Sequence, residues 1–225
     1  RKLGVPAVYY HVDTIAGWSL RYALAFPGLS GLESFHPQAE EWGKVYEGAF
    51  RLLQVSAIKK VVGYSYSGMY VDEYQDCALP QHQIVLKLAS IIPCRVVGDP
   101  LQGIFDFEGS IVNWNTDVIA NFPAMPPLTK PWRWSNVNPE LGQWLVRFRQ
   151  DLLSGNSVDL QSAPLQWRLL RPQEQRKVCF SLATTTGSVV AIEKWPHSAH
   201  KLASGLLGSF TSMEEMECKD LLSWC

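Results

Sequence analysis

The chain has 225 residues, 47% of them hydrophobic and 12% aromatic, with a formal net charge of −1. This composition excludes an intrinsically disordered chain and is sufficient for one large core or two modest ones. A near-neutral balance leaves any nucleic-acid contact to a local basic surface, because the summed field does not draw phosphate. The five cysteines form no C-x-x-C pair and stand at long spacings, which favours free thiols in a reducing cytosol over a disulfide framework or a zinc site. No apolar run reaches the length of a membrane span, and the opening "RKLGVPAVYY" lacks the apolar core and cleavage site of a signal peptide. The expectation is a cytoplasmic protein with no membrane partner.

In chain order, "AVYYHVDT" (7–14) is β-branched and aromatic and predicts a strand. "AGWSLRYALAF" (16–26) has apolar residues at helical spacing before Pro27-Gly28. Residues 28–43, with Gly28, Gly31, Pro37 and Gly43, predict an irregular excursion. "KVYEGAFRLLQVSAIKKVV" (44–62) predicts one long helix, so that a helical insertion spans about 28–62. "GMYVDE" reads as a buried strand, "LPQHQIVLKLASII" (79–92) as a helix with Pro80 in its first turn, and "CRVVGD" (94–99) as a second buried strand. Strand, helix, strand implies a parallel pair. The four prolines of "NFPAMPPLTKPW" (121–132) suggest a boundary, giving domains at 1–122 and 123–225. Beyond it, "PELGQWLVRFRQDLLSGN" (139–156) predicts an amphipathic helix and "SVVAIEKW" (188–195) a strand. The acidic run "TSMEEMECKDL" (211–221) reads as a solvated helix start.

The first strand ends in "MYVDEYQDCALP" (69–80), which places Asp72, Glu73 and Asp76 where ligand sites of parallel α/β sheets lie. An Asp there suits Mg²⁺ held largely through water, and an adjacent Glu suits orientation or deprotonation of an attacking water. The second strand ends on Asp99, with Gln102 in the following loop, a residue type able to report a γ-phosphate. Acidic residues at a strand end are in most cases a solvated loop or a helix cap, so order and spacing carry the argument.

V-D-E-Y-Q-D, a helix, and then a strand closing on G-D-P-L-Q-G-I-F resemble motifs II and III of the UvrD/Rep family of superfamily 1 DNA helicases. In that family the two read D-E-x-Q-D and G-D-x-x-Q-S-I-Y-x-F-R-G-A. The resemblance implies a RecA-like parallel sheet flanked by helices, of the P-loop NTPase type, and ATP with Mg²⁺ as cofactors. It also implies single-stranded DNA and duplex junctions as partners. By the same resemblance Asp72 holds Mg²⁺, Glu73 acts on the catalytic water, Asp99 and Gln102 attend the nucleotide, and Phe105 and Phe107 face single-stranded DNA. "VDTIAGWSLRYAL" (12–24) resembles the T-F-H-S-F segment, with Thr14 as the matching DNA-contact residue. "LTKPWRWSN" (128–136) resembles motif IV, where Trp132 matches the aromatic that packs on adenine and Arg133 the arginine that reaches the γ-phosphate.

The chain departs from the pattern in places. Glu108 stands where the family has the motif III arginine, and Ala16 replaces the histidine of T-F-H-S-F. No G-x-x-x-x-G-K-[ST] phosphate loop occurs anywhere in the sequence, nor do the family's late motifs. The resulting expectation is part of an ATP-dependent helicase or translocase, an incomplete RecA-like core whose remaining polypeptide lies outside this chain and which is inactive alone. Two other readings stay open. One is a degenerate helicase-like module that binds nucleic acid or a partner without ATPase activity. The other is an unrelated magnesium-dependent phosphohydrolase using Asp72 and Asp99 as metal ligands.

Overall fold

A computed structural model describes residues 4–32, 36–103, 111–165, 171–184 and 189–212. The chain separates into two compact units, Arg1–Pro127 and Leu128–Cys225. The division falls five residues beyond the 122/123 boundary expected from the proline run.

The first unit opens with a 3₁₀ turn, Ala7–Tyr9, followed by extended chain up to Thr14. The strand expected over 7–14 is absent. β-forming side chains hold a strand only when a ladder partner and a covered face are present, and here Val8, Tyr9 and Val12 are exposed while Pro6 and Ala7 accept the turn's hydrogen bonds. Helix α1 (Ile15–Ala25) starts at Thr14, whose Oγ1 accepts from the backbone N–H of Gly17 at 2.9 Å, an N-cap that satisfies one of the helix's orphan donors. A short α2 (Pro27–Ser30) ends on Gly31 at φ +67, a left-handed position suited to glycine.

The single helix expected over 44–62 is two: α3 (Trp42–Leu52) and α4 (Ser56–Ser65). The reason is a mismatch of faces. At about 100° per residue, Val45, Ala49, Leu52 and Leu53 share one side of a continuous helix, whereas Ile58 and Val62 fall on the opposite side. The break at residues 53–55, where Val55 turns extended, directs both sets inward. Ala49, Leu52, Leu53, Ile58 and Val62 then join Ile84, Leu88 and Ile92 in one cluster.

β1 (Met69–Val71) and β2 (Cys94–Val96) pair in parallel, with Met69 opposite Cys94 and Val71 opposite Val96. Helix α5 (Leu79–Ala89) makes the crossover between them. α5 is apolar on two sides. Ile84 and Leu88 enter the cluster shared with α3 and α4, while Val85 enters a second one with Tyr74, Cys77, Val112 and Val118. Met69, Val71, Cys94 and Val96 pack against this second cluster. The alternate residues, Tyr70 and Arg95, point the other way, with the guanidinium carbon 5.7 Å from the Tyr70 ring centre. These two strands form the one ladder of the described residues, and Ala78 and Ile111 add an isolated antiparallel bridge. After β2 come a 3₁₀ turn (Pro100–Gln102), a π-helical turn (Trp114–Val118) and the short α6 (Ile119–Asn121).

In the second unit the helix expected over 139–156 is α7 (Pro139–Leu153), capped by Asn138 Oδ1 on the N–H of Leu141 and followed by Gly155 at φ +68. Trp144 and Phe148 stack on it with ring centres 4.9 Å apart. Two further helices are α8 (Pro172–Ala183) and α9 (Pro196–Ser204). The expected strand at 188–195 is not formed over its described part, 189–195: Val190 and Ile192 are exposed and have no ladder partner there. The acidic run from 213 onward lies outside the described residues. No helix among the described residues is long and apolar enough to cross a membrane.

Candidate nucleotide site

Asp72 and Glu73 follow β1 directly, at its carboxyl end, and both are exposed. Oδ1 of Asp72 accepts the N–H of Glu73 at 2.9 Å. Glu73 is left-handed, at φ 50 and ψ 43, a conformation that costs a non-glycine residue of order 1–3 kcal/mol and that concentrates at functional turns. This turn carries the chain from β1 into the 3₁₀ segment Tyr74–Asp76.

The turn is pinned from below and from the side. Tyr74 is fully buried, and its N–H donates to the carbonyl of Val97 at 3.0 Å, extending the ladder one step past β2. Its hydroxyl shares a 2.8 Å hydrogen bond with Nδ1 of His82 on α5. Burial pushes the Tyr74 phenol upward and the His82 imidazole downward, while the Asp117 carboxylate pulls His82 the other way.

Gln75 is the residue that joins the two strand ends. Its side chain is 6% exposed. Nε2 donates to Oε2 of Glu73 at 2.7 Å, and Oε1 accepts the backbone N–H of Asp99 at 2.9 Å. The orientation of the amide follows from chemistry: a carboxylate only accepts and a backbone N–H only donates, so oxygen must face Asp99 and nitrogen Glu73. Gly98 makes room for this amide. A Cβ there would lie 2.7 Å from Gln75 Oε1, 2.9 Å from Trp114 and 3.0 Å from the Tyr74 nitrogen.

On the β2 side, Asp99 caps the following 3₁₀ turn, with Oδ1 accepting the N–H of Leu101 at 2.9 Å. Its Oδ2 accepts from Nε2 of Gln102 at 3.2 Å. Asp72, Glu73, Asp99 and Gln102 are thus gathered at neighbouring strand ends. Thr14 is the cap of α1, whose first residue, Ile15, packs against the cluster that holds Tyr74. Phe105 and Phe107, and Glu108 with them, lie outside the described residues. Trp132 and Arg133 belong to the second unit, in a turn over residues 132–137 that packs on α7, where Gly142 admits Trp134 and Pro131. Trp132 is 73% exposed and carries Nζ of Lys130 at 3.5 Å from its ring centre; Arg133 is exposed.

No group of three or more His, Cys, Asp or Glu side chains among the described residues forms a ready metal cage. A magnesium ion bound with a nucleotide does not need one, since it keeps several waters and takes one or two carboxylates besides phosphate oxygens. The exposed Asp72 carboxylate meets that need. Asp76 Oδ1, in the adjoining turn, is buried without a hydrogen-bond partner among the described residues, which adds an acceptor of the kind that water or a cation satisfies. The donor set therefore fits Mg²⁺.

Residues 40–123 match the UvrD/REP helicase N-terminal domain. Over this segment the chain is similar to the UvrD/Rep helicases. The UvrD/Rep-type segment includes Asp72, Glu73, Asp99 and Gln102, whereas Thr14, Trp132 and Arg133 lie outside it. No curated protein and no solved structure gave a match. The similarity suggests, at the coarse level, a helicase domain of RecA-like fold, and the parallel β1–α5–β2 unit is consistent with part of such a fold among the described residues.

Sequence reasoning missed Gln75 and Gly98 as members of the site. The signal was present, since both stand inside the two motifs, D-E-Y-Q-D and G-D-P-L-Q. It was silent on the fact that one side chain spans from the first motif to the second.

Proposed function

We propose that this chain supplies the carboxylate side of the nucleotide site in an ATP-dependent DNA helicase or translocase, coupling ATP hydrolysis to movement on single-stranded DNA. The observation that carries the reading is the meeting of Asp72-Glu73 with Asp99-Gln102 at adjacent parallel strand ends within the UvrD/Rep segment. Bound Mg²⁺·ATP would supply the electrophilic phosphoryl group and the charge that polarises it.

Within such a site the chain's own residues take these parts. Asp72 keeps an exposed carboxylate for the cation. Glu73 has Oε2 committed to Gln75, so Oε1 is the atom that orients a water and takes its proton. Gln102 exchanges its bond to Asp99 for a phosphate oxygen, which ties the loop after β2 to the presence of that oxygen. Trp132 offers an exposed indole face to adenine, and Arg133 a guanidinium to the charge that develops on the transferred group. Thr14, Phe105 and Phe107 are the proposed contacts to single-stranded DNA, where stacking on an aromatic ring is worth about 1–3 kcal/mol per base.

The test is Glu73→Gln in a polypeptide that joins this segment to a phosphate loop. Nucleotide binding should persist while turnover falls about 10²–10⁴-fold. Unchanged turnover removes Glu73 from the chemistry. A second reading, a nucleic-acid or partner-binding module without ATPase activity, is favoured by Glu108, which stands where the family's motif III has an arginine. The phosphohydrolase reading is disfavoured because it gives no part to Gln102 or to Trp132-Arg133, which match the helicase motifs.

A further inference from the structure

We infer that Gln75 is a positioning residue. Its buried amide fixes the Glu73 carboxylate and transmits the state of that carboxylate to the loop Asp99–Gln102. The inference rests on the reading of Glu73 as the residue that handles the attacking water.

Three observations support it together. The first is connectivity: one side chain bonds to Glu73 Oε2 at 2.7 Å through nitrogen and to the Asp99 N–H at 2.9 Å through oxygen. A primary amide is conjugated, so polarisation at one end is felt at the other. Withdrawing the carboxylate weakens the amide oxygen as an acceptor, and rotating the amide to follow the carboxylate breaks the Asp99 bond. The second is enclosure. Gln75 is nearly inaccessible, the Gly98 backbone passes against its oxygen, and Gly103 lies near its Cβ and Cγ, so a Cβ on Gly103 would sit 3.7 Å from either. Water has little access to replace either bond, and the further contact of the amide is a longer one, from Nε2 to Oδ2 of Asp76 at 3.4 Å. The third is the backbone of Glu73. Its left-handed turn is the kind of strained geometry that persists when its surroundings over-determine it; the Gln75 and Asp72 hydrogen bonds on either side provide that constraint.

The link continues on the far side. Asp99 holds Leu101 N–H through Oδ1 and Gln102 Nε2 through Oδ2. A shift of the Asp99 backbone therefore reaches the side chain proposed to sense the γ-phosphate. The path Glu73, Gln75, Asp99, Gln102 runs through four hydrogen-bonded residues and needs no domain movement.

The experiment is a double-substitution cycle on the 225-residue chain, read by the amide proton resonance and hydrogen exchange of Asp99 without nucleotide. Glu73→Ala should move the Asp99 resonance and speed its exchange several-fold. In a Gln75→Leu background the same Glu73→Ala change should leave Asp99 where Gln75→Leu alone put it. Gln75→Met provides a second background that keeps the length of the side chain and removes both the donor to Glu73 and the acceptor for the Asp99 N–H. In that background too Asp99 should not respond to Glu73→Ala. Amide protection of α5 reports whether each variant has folded. An Asp99 response of equal size in all three backgrounds, or no response in the unmodified one, overturns the inference. A cycle that behaves as expected while Glu73→Gln leaves ATP turnover unchanged would instead overturn the catalytic reading of Glu73, so the two failures are distinguishable.

Discussion

The hydroxyl of Tyr74 and Nδ1 of His82 lie 2.8 Å apart beneath the turn that carries Glu73, with both residues buried. This bond ties the turn to the crossover helix and makes the stability of the first unit depend on the charge of one imidazole. Protonating His82 makes both ring nitrogens donors and places a cation beside the buried Tyr74 hydroxyl.

Burial holds the folded-state pKa of His82 below the ordinary 6.5. Between that lowered value and 6.5 the unfolded chain binds more protons than the folded one, so stability is complete above 6.5 and declines as pH falls through the window. The midpoint of urea unfolding should decrease from pH 7.5 to pH 5.5, and His82→Gln should flatten that decrease. An unchanged slope in His82→Gln would assign the pH dependence to other groups.

Gly98→Ala should destabilise the first unit by about 1–3 kcal/mol, the usual cost of overpacking a filled site. The added methyl meets the Gln75 amide oxygen, the Trp114 ring and the Tyr74 backbone at 3.0 Å or less, so the amide must move and release Asp99. Thermal unfolding measures the loss, and exchange of the Asp99 amide should rise with it.

Cys77 and Cys94 should resist alkylation in the folded chain. Burial pushes their thiols up to about 12 and about 11, from an ordinary 9.0. For Cys77 this lowers the thiolate, the reactive form, by about a thousandfold at pH 8. Peptide mass spectrometry after brief iodoacetamide treatment should show Cys179, partly exposed on α8, labelled before either of them, with protection lost in urea.

Thr14→Ala should cost about 1 kcal/mol of stability through loss of the α1 cap. Thr14→Ser keeps the cap oxygen, so comparing the two by thermal unfolding and by single-stranded DNA affinity separates the structural role from the proposed contact. A DNA defect in both variants with a stability defect in Thr14→Ala alone would support the contact.

The β1–α5–β2 unit was legible in the sequence because each element carries its own signal. Two short β-rich runs end on acidic residues, and between them a helix with Pro80 in its first turn bears apolar residues on two sides. The break between α3 and α4 was not read because 44–62 is helical in propensity throughout, and the fault shows only when Leu52-Leu53 and Ile58-Val62 are set on opposite faces. Segments 7–14 and 189–195 have the composition of strands, but composition cannot supply a ladder partner. The acids were placed by position and motif. The Gln75 bridge depends on contact between residues 24 positions apart, and it became visible once the two strand ends were side by side.

The central claim, that the acidic ends of β1 and β2 form one Mg-nucleotide site, is tested most directly by manganese line-broadening of amide resonances, with ATP present, in the polypeptide that joins this segment to a phosphate loop. Substoichiometric Mn²⁺ should broaden Asp72, Glu73 and the Asp99–Gln102 loop first, and Asp72→Asn should abolish that preference. Broadening that spares these residues, or that is indifferent to Asp72→Asn, would contradict the account.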